Sequence, residues 1–235
     1  MSHPSLGSVA LAIAGKDLRI EWRSRVVINQ VLPFSGLVMV MFALALDDDA
    51  MLQRTAGGLV WLATLFSLFM IVQRSYAVDT QDGALDAMRV AGVDMQAMFL
   101  GKSLALAAQL FVLEVVLFAV AMVLYRVSPL PDESTLAGFV LLVTTVICAT
   151  LGLGFVGTLY GGLIAGAKGR DSLLPLLLLP VLAPVLLGAT RATESALRSG
   201  GAVVAEGWPW VAVLVVFAGV FGVGGLLSFG ALIEE

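Results

Sequence analysis

Residues 136–167 read LAGFVLLVTTVICATLGLGFVGTLYGGLIAGA and contain no charged side chain. A helix that crosses the hydrocarbon core of a membrane, about 30 Å thick, needs about 20 apolar residues, so this stretch is long enough to cross with a tilt or a bend. It also lacks the apolar and polar alternation expected of a strand in a membrane barrel. The stretch therefore predicts a membrane-spanning α-helix.

Five similar charge-poor runs lie on either side of this one. They predict an all-α polytopic membrane protein of six transmembrane helices, forming one membrane domain over residues 1–235. The composition agrees, because 60% of the residues are hydrophobic and 13% are charged, against about 45–50% and 25% in soluble domains. A soluble cytosolic enzyme and a disordered chain are both excluded. The predicted spans are 26–46, 57–72, 104–125, 136–167, 172–190 and 208–233.

The basic residues between the spans predict the orientation in the membrane. Six crossings leave both termini on the same side, and the Lys and Arg residues divide unequally between the two sides. The terminal side holds Lys16, Arg19, Arg23, Arg25, Arg74, Arg89, Lys102, Lys168 and Arg170, and the other side holds only Arg54, Arg126, Arg191 and Arg198. Because positive residues concentrate in the cytoplasm, both termini are predicted to be cytoplasmic.

Residues 1–25 predict a helix that lies on the cytoplasmic surface of the membrane. They lack the clean apolar core of a cleavable signal peptide. At 100° per residue, Arg19 and its basic neighbours form a stripe opposite Leu11, Leu18 and Trp22, which suits anionic headgroups on one side and acyl chains on the other. The alternative is an ordinary tilted lead-in to the first span. The basic stripe consists of Lys16, Arg19 and Arg23.

The cytoplasmic segment 73–103 carries the candidate site for force transfer. The run Asp79-Thr80-Gln81-Asp82-Gly83 supplies a breaker and capping side chains, Gly92 ends the short helix that follows, and Asp94 can cap the next helix. An amphipathic helix with its apolar side chains directed outward fits the groove of another protein. In the alternative reading, the same side chains pack against the bundle. The candidate coupling residues are Asp82, Gly83, Leu85, Asp86, Met88 and Arg89.

Glu114 lies close to the middle of the third predicted span. A carboxylate at that depth costs about 2.5–3.5 kcal/mol on insertion scales, so it is expected to face the bundle interior or another subunit. Three readings stay open: a structural hydrogen bond, a role in transport or assembly, and a misplaced span.

Glycine and proline mark the fourth and fifth spans. Gly157 and Gly161, four residues apart, allow two helices to approach closely where lipid gives no hydrophobic drive. Pro175, Pro180 and Pro184 make a kinked or broken fifth helix plausible.

Several kinds of chemistry have no basis in this sequence. It contains no GxxxxGK[ST] phosphate loop, so any ATP hydrolysis belongs to another subunit. The sole histidine is His3, which leaves no intramembrane histidine pair for haem iron, no metal-binding cluster and no catalytic triad. Cys148 lies in an apolar run as a packing residue, and the net charge of −4 gives no surface for nucleic acid.

Four blocks of the sequence resemble the haem exporter protein B (CcmB) family, the permease subunit of the ABC-type complex used in cytochrome c maturation. The likeness spans most of the chain, and the block that begins at Asp79 is its most specific part. In order, the blocks are Lys16-Asp17-Leu18-Arg19, then Gly58-Leu59-Val60-Trp61-Leu62-Ala63, then Asp79-Thr80-Gln81-Asp82-Gly83-Ala84-Leu85-Asp86 with Gly101-Lys102, and finally Lys168-Gly169-Arg170 followed by Leu178-Leu179-Pro180-Val181-Leu182-Ala183-Pro184-Val185.

The resemblance implies an ABC-2-type permease architecture in the bacterial inner membrane. It implies partners as well: an ATP-binding ABC subunit that meets the coupling helix, a second permease copy in a homodimer, and a haem-handling membrane subunit. ATP would be bound by the partner, and haem would be handled or transported. The rival readings are a permease that exports a lipid, drug or peptide, a membrane assembly scaffold that moves nothing, and an intramembrane enzyme built on Glu114.

Overall fold

The computed structural model describes residues 5–46, 48–81, 83, 87, 88, 90–127, 135–165 and 174–234. Those residues form helices and connecting turns without any strand, which confirms the all-α fold class. The helices are α1 (Leu6–Ser24), α2 (Leu32–Ala45), α3 (Asp49–Gln81), α4 (Met95–Leu124), α5 (Thr135–Ala165), α6 (Leu174–Ala196) and α7 (Trp208–Glu234).

Five stretches of helix in the described residues are long and apolar enough to cross a membrane. They establish a multi-pass membrane protein. The run predicted as the fifth span coincides with α6, which does not meet the same length and composition requirement within the described residues. The five stretches are Val27–Ala45, Asp49–Thr80, Met95–Leu124, Leu136–Leu163 and Val204–Ala231.

The charged residues define two ends of the bundle. At the arginine end, which contains Arg54 and Arg126, Trp61 of α3 donates a 2.9 Å hydrogen bond from Nε1 to Oγ1 of Thr193, near the end of α6. At the lysine end, which contains Lys16 and Lys102, the ring of Phe229 near the end of α7 lies 5.5 Å from the ring of Phe99 in α4. The helix α1 and the end of α7 therefore lie at the same end.

The helix α3 is longer than the sequence pattern predicted. It begins at Asp49 and ends at Gln81, so residues 73–81 continue the second span instead of starting a separate segment. The last turns of α3 remain buried, as shown by Ile71, Val72, Tyr76 and Asp79. Burial of the polar Tyr76 and Asp79 is possible because each has a partner on another helix. Within the run that was predicted to supply capping side chains, Asp79 instead pairs with lysines on other helices.

Close packing by the glycines of α5 is confirmed. A Cβ atom on Gly157 would lie 2.8 Å from Cδ2 of Leu106 in α4 and 3.0 Å from Cγ2 of Val72 in α3. A side chain at this position would require Leu106 and Val72 to shift, so glycine favours the close approach of α5 to these helices. By contrast, α6 is continuous from Leu174 to Ala196 with Pro180 and Pro184 inside it, and it is not broken there.

Candidate functional site

Four charged side chains meet at the lysine end, and we call this group the charge ring: Lys16, Asp17, Asp79 and Lys102. Lys16 Nζ lies 2.9 Å from Oδ1 of Asp17 and 2.9 Å from Oδ1 of Asp79. Lys102 Nζ lies 3.4 Å from Oδ2 of Asp17 and also contacts Oδ2 of Asp79. Each lysine thus touches both carboxylates, and each carboxylate touches both lysines, so the charges alternate and cancel.

The charge ring is almost closed to solvent. The side chains of Asp17, Asp79 and Lys102 are 8%, 3% and 2% exposed, whereas that of Lys16 is 36% exposed. Partial burial by itself would lower the pKa of Lys16, but hydrogen bonds and Coulomb attraction from Asp79 and Asp17 outweigh it, and the pKa lies above its usual value. The two carboxylates therefore favour the charged form of Lys16.

Tyr76 supports the ring from α3. Lys102 Nζ lies 4.7 Å from the centroid of the Tyr76 ring, in cation–π range, and the Tyr76 hydroxyl donates a 2.7 Å hydrogen bond to the carbonyl oxygen of Thr158 in α5. Tyr76 thus connects the charge ring to a fourth helix, α5, in addition to the three helices that supply its charges.

The helix α1 docks on α4 by close backbone contact beside the charge ring. A Cβ atom on Gly101 would lie 2.6 Å from the carbonyl oxygen of Ala10 and 2.7 Å from Cβ of Ile13, so only glycine fits at this position. The opposite side of α1 is uncovered, with Leu11 and Trp22 66% and 79% exposed. The predicted apolar stripe is therefore exposed, while a third face, between the basic and apolar stripes, holds the helix to the bundle.

A cleft opens next to the ring, between the end of α1, the π-helical turn Val27–Val31, α3 and α4. Its volume is about 30 Å³, and its polar lining includes Asp17, Glu21, Arg74, Asp79 and Gln109. Val27 N donates a 2.6 Å hydrogen bond to Oε1 of Glu21, which fixes the elbow from α1 into the first span. Two carboxylates of the charge ring therefore border a space that water can enter.

The predicted coupling residues are only partly described. Asp82, Leu85, Asp86 and Arg89 lie outside the described residues. Gly83 has a left-handed φ of +63° and Met88 is half-buried against the main core. The outward orientation predicted for Met88 is therefore wrong, and the alternative reading of packing against the bundle applies to this residue.

Among the described residues of this segment, Val90 is a large apolar residue whose side chain is 90% exposed. Gly92 ends the helical turn with a φ of +68°, and Val93 N donates a 3.1 Å hydrogen bond to the carbonyl oxygen of Met88. Asp94 then caps α4, because its Oδ1 accepts a 2.8 Å hydrogen bond from Gln96 N. These two predicted helix boundaries, at Gly92 and Asp94, are confirmed.

Glu114 lies inside the bundle, as predicted, and is 0% exposed. The Thr150 hydroxyl of α5 lies 2.5 Å from Oε2 of Glu114 and 2.6 Å from the carbonyl oxygen of Val146. Glu114 Oε1 has no hydrogen-bond partner within the part of the chain that the structure describes. A misplaced span is excluded, and a hydrogen bond between helices is present.

Within the described ranges, no group of three or more His, Cys, Asp and Glu side chains is arranged to hold a metal ion. Polar contacts join different helices of the bundle. Among them are the charge ring, the Trp61–Thr193 pair, the Glu114–Thr150 pair and the hydrogen bond between Ser35 and Ser67.

The charge ring is the feature that sequence reasoning missed. The sequence pattern places Lys16 in a stripe for anionic headgroups, Lys102 among the cytoplasmic basic residues and Asp79 in a run with capping side chains, because it describes each residue along its own segment. A signal was present: Lys16-Asp17 belongs to the first block of the family resemblance, and Asp79 and Gly101-Lys102 belong to the third. Which residues pair across the bundle is decided by helix packing, which the pattern along one helix does not contain.

Long apolar helices with charges gathered at their two ends define the class of this protein, a multi-pass α-helical membrane protein. A family model described as CcmB protein matches residues 8–229. The chain is 30% identical to heme exporter protein B of Rhodobacter capsulatus over 180 residues, covering 75% of this chain and 78% of the relative.

Two further relatives carry the same name. Heme exporter protein B of Pseudomonas aeruginosa is 26% identical over 221 residues, which cover 91% of this chain and 92% of that protein. The protein of that name from Escherichia coli K12 is 28% identical over 181 residues, covering 77% and 79% of the two chains. This chain belongs to the CcmB protein family.

Proposed function

We propose that this chain is the membrane permease subunit of a haem-export system for cytochrome c maturation, powered by an ATPase on a separate subunit. The proposal depends on the family match over residues 8–229. It also depends on the matches to relatives named heme exporter protein B, which cover most of this chain and most of each relative. The missing phosphate loop supports a separate ATPase, because this chain has no sequence that cradles nucleotide phosphates.

The permease has six spans, with α6 as the fifth, and both termini in the cytoplasm of an inner-membrane protein. Two observations support this arrangement. The helix α6 extends over 23 residues, and a Cβ on Gly230 of α7 would lie 3.6 Å from Cβ of Met95 at the start of α4, so α7 ends at the lysine end. The larger share of Lys and Arg at that end favours a cytoplasmic location.

Residues 82–94, which we call the connecting segment, receive the ATPase at the cytoplasmic surface. Support comes from Val90, a large apolar side chain that is 90% exposed at the lysine end, where no lipid acyl chain is expected to cover it. Among the described residues, Val90 rather than Met88 is therefore the apolar side chain that we expect to contact the ATPase. The proposed contact surface also includes Gly83 and its neighbours Asp82, Leu85, Asp86 and Arg89.

Purification of the tagged chain in mild detergent tests the proposal. We expect an ATPase subunit and a haem-binding membrane subunit to copurify, and the mass of the intact complex would show whether a second copy of this chain is present. In a deletion strain, covalent attachment of haem to c-type cytochromes should be lost. Normal attachment in that strain would contradict the haem assignment, whereas copurification without an ATPase would contradict the permease assignment.

A further inference from the structure

The position of the charge ring relates it to the connecting segment. Asp79 lies four residues before Gly83, and Lys102 lies eight residues after Asp94, so the two helices that enter and leave the segment each contribute one charge. Gly83 and Gly92 both have left-handed φ values, a conformation at which the chain direction changes easily. Movement of the segment would displace the ends of α3 and α4, and therefore Asp79 and Lys102.

We propose that Asp79 and Lys102 are positioning residues that transmit movement of the connecting segment to the interfacial helix α1 through Lys16 and Asp17. This inference rests on the proposed function, because the movement originates in the ATPase. It makes α1 a second moving element, which carries the exposed Leu11 and Trp22 against the membrane surface.

The energetics of burial favour a role in coupling over a role in stability alone. Three charges of the ring, on Asp17, Asp79 and Lys102, are buried and lose their hydration, and well-packed apolar residues at such positions often give equal or greater stability. Each group of the ring contacts two groups of opposite charge, so a displacement of Asp79 or Lys102 changes the contacts of both Lys16 and Asp17. The neighbouring cleft gives water a place from which to hydrate Asp17 and Asp79 when the ring opens.

The alternating order provides a sharp test. Exchanging the charges on α1 alone (Lys16→Asp with Asp17→Lys) keeps the net charge and the local ion pair, yet places carboxylate against Asp79 and ammonium against Lys102. Exchanging them on the bundle alone (Asp79→Lys with Lys102→Asp) has the same effect. Combining all four substitutions restores the alternation.

Hydrogen exchange of the full chain in lipid nanodiscs, with its copurifying subunits, measures the docking of α1. In each double variant we expect amide exchange in residues 10–17 to accelerate by about tenfold or more, with exchange in α3 to α7 unchanged. We expect the ATPase to be retained and haem attachment to c-type cytochromes to be lost. The quadruple variant should recover both slow exchange and haem attachment.

Several outcomes would overturn the inference: unchanged exchange in α1, normal haem attachment in a double variant whose α1 is released, or no recovery in a quadruple variant whose bundle exchanges normally. If the double variants unfold, Lys16→Gln removes two ring contacts without adding like charges, and unchanged α1 exchange there would also overturn it. If the unsubstituted chain copurifies without an ATPase, the proposed function fails. The docking of α1 is tested separately, because it is measured by hydrogen exchange alone.

Discussion

Lys16 of α1 donates a 2.9 Å hydrogen bond from Nζ to Oδ1 of Asp79, which lies 63 positions later, in α3. This contact joins a helix expected on the membrane surface to a membrane-spanning helix, immediately before the connecting segment. Because Asp79 also contacts Lys102, the same carboxylate joins α1, α3 and α4. Several measurable consequences derive from this arrangement and from the rest of the bundle.

Replacing Asp79 by Asn should destabilise the protein strongly. The variant leaves Lys16 and Lys102 with one carboxylate between them, and removing one partner of a buried ion pair costs about 3–5 kcal/mol. Thermal unfolding in detergent would show a lower midpoint. The matched control is Asp49→Asn, because Asp49 is 78% exposed and pairs at 3.7 Å with an equally exposed Arg126, a contact worth about 0–1 kcal/mol. Equal midpoints for the two variants would contradict a structural role for the charge ring.

Gly101→Ala should release α1 from the bundle. The new Cβ would lie 2.6 Å from a backbone oxygen of Ala10, which cannot move aside as a side chain can, and overpacking of this kind costs about 1–3 kcal/mol. Hydrogen exchange in α1 would accelerate. Gly15→Ala in the same region is the control, since a Cβ there meets nothing within 4 Å. If both variants exchanged alike, the proposed close contact would be wrong.

Val90→Asp should weaken copurification of the ATPase without lowering the amount of chain in the membrane, because Val90 is exposed and a charge there disturbs only an external contact. Val203→Asp at the arginine end is the matched control, since Val203 is an exposed valine as well, at 55%. Loss of the ATPase from both variants, or from neither, would argue against the connecting segment as its contact surface.

The same two valines report the orientation of the chain. In a Cys148→Ser background, Val90→Cys should be protected from a membrane-impermeant thiol reagent in intact cells whose outer membrane has been opened, whereas Val203→Cys should react. Reaction of the Val90→Cys variant would place the lysine end outside the cytoplasm and invalidate the proposed topology.

Glu114→Gln should leave the protein folded and active. The glutamine amide can donate to Thr150 Oγ1 and keeps the shape of the side chain, so the change in the free energy of unfolding should stay below about 1 kcal/mol. Protein amount and haem attachment to c-type cytochromes are the two readouts. Normal protein amount with no haem attachment would instead assign Glu114 a role in transport or proton handling.

The contribution of Lys16 to stability should stay constant from neutral pH to about pH 9. Its pKa lies above the ordinary value of 10.5, so the stabilisation is fully present below that value and is lost as the pH rises through the folded-state pKa. The midpoint difference between the unsubstituted chain and Lys16→Gln, measured across this range, checks the prediction. A difference that disappeared already between pH 7 and 9 would contradict it.

The sequence by itself determined the membrane class, the helical fold, the close packing by Gly157 and Gly161, and the helix boundaries at Gly92 and Asp94. These properties depend on the length of apolar runs and on local backbone chemistry, which are visible along the chain. The family resemblance rests on short blocks of residues, which are likewise read along the chain. The full length of α3 was not visible in the sequence. Tyr76 and Asp79 are polar and suggest the end of a membrane span, unless their partners on other helices are known.

The tertiary structure alone decided which charges meet, which face of α1 is held, and that Val90 is exposed while Met88 packs against the core. Lys16, Asp79 and Lys102 are far apart in the chain and each would be satisfied by water in isolation. Only the packing of α1, α3 and α4 removes that water, and the loss of hydration obliges the four charges to neutralise one another.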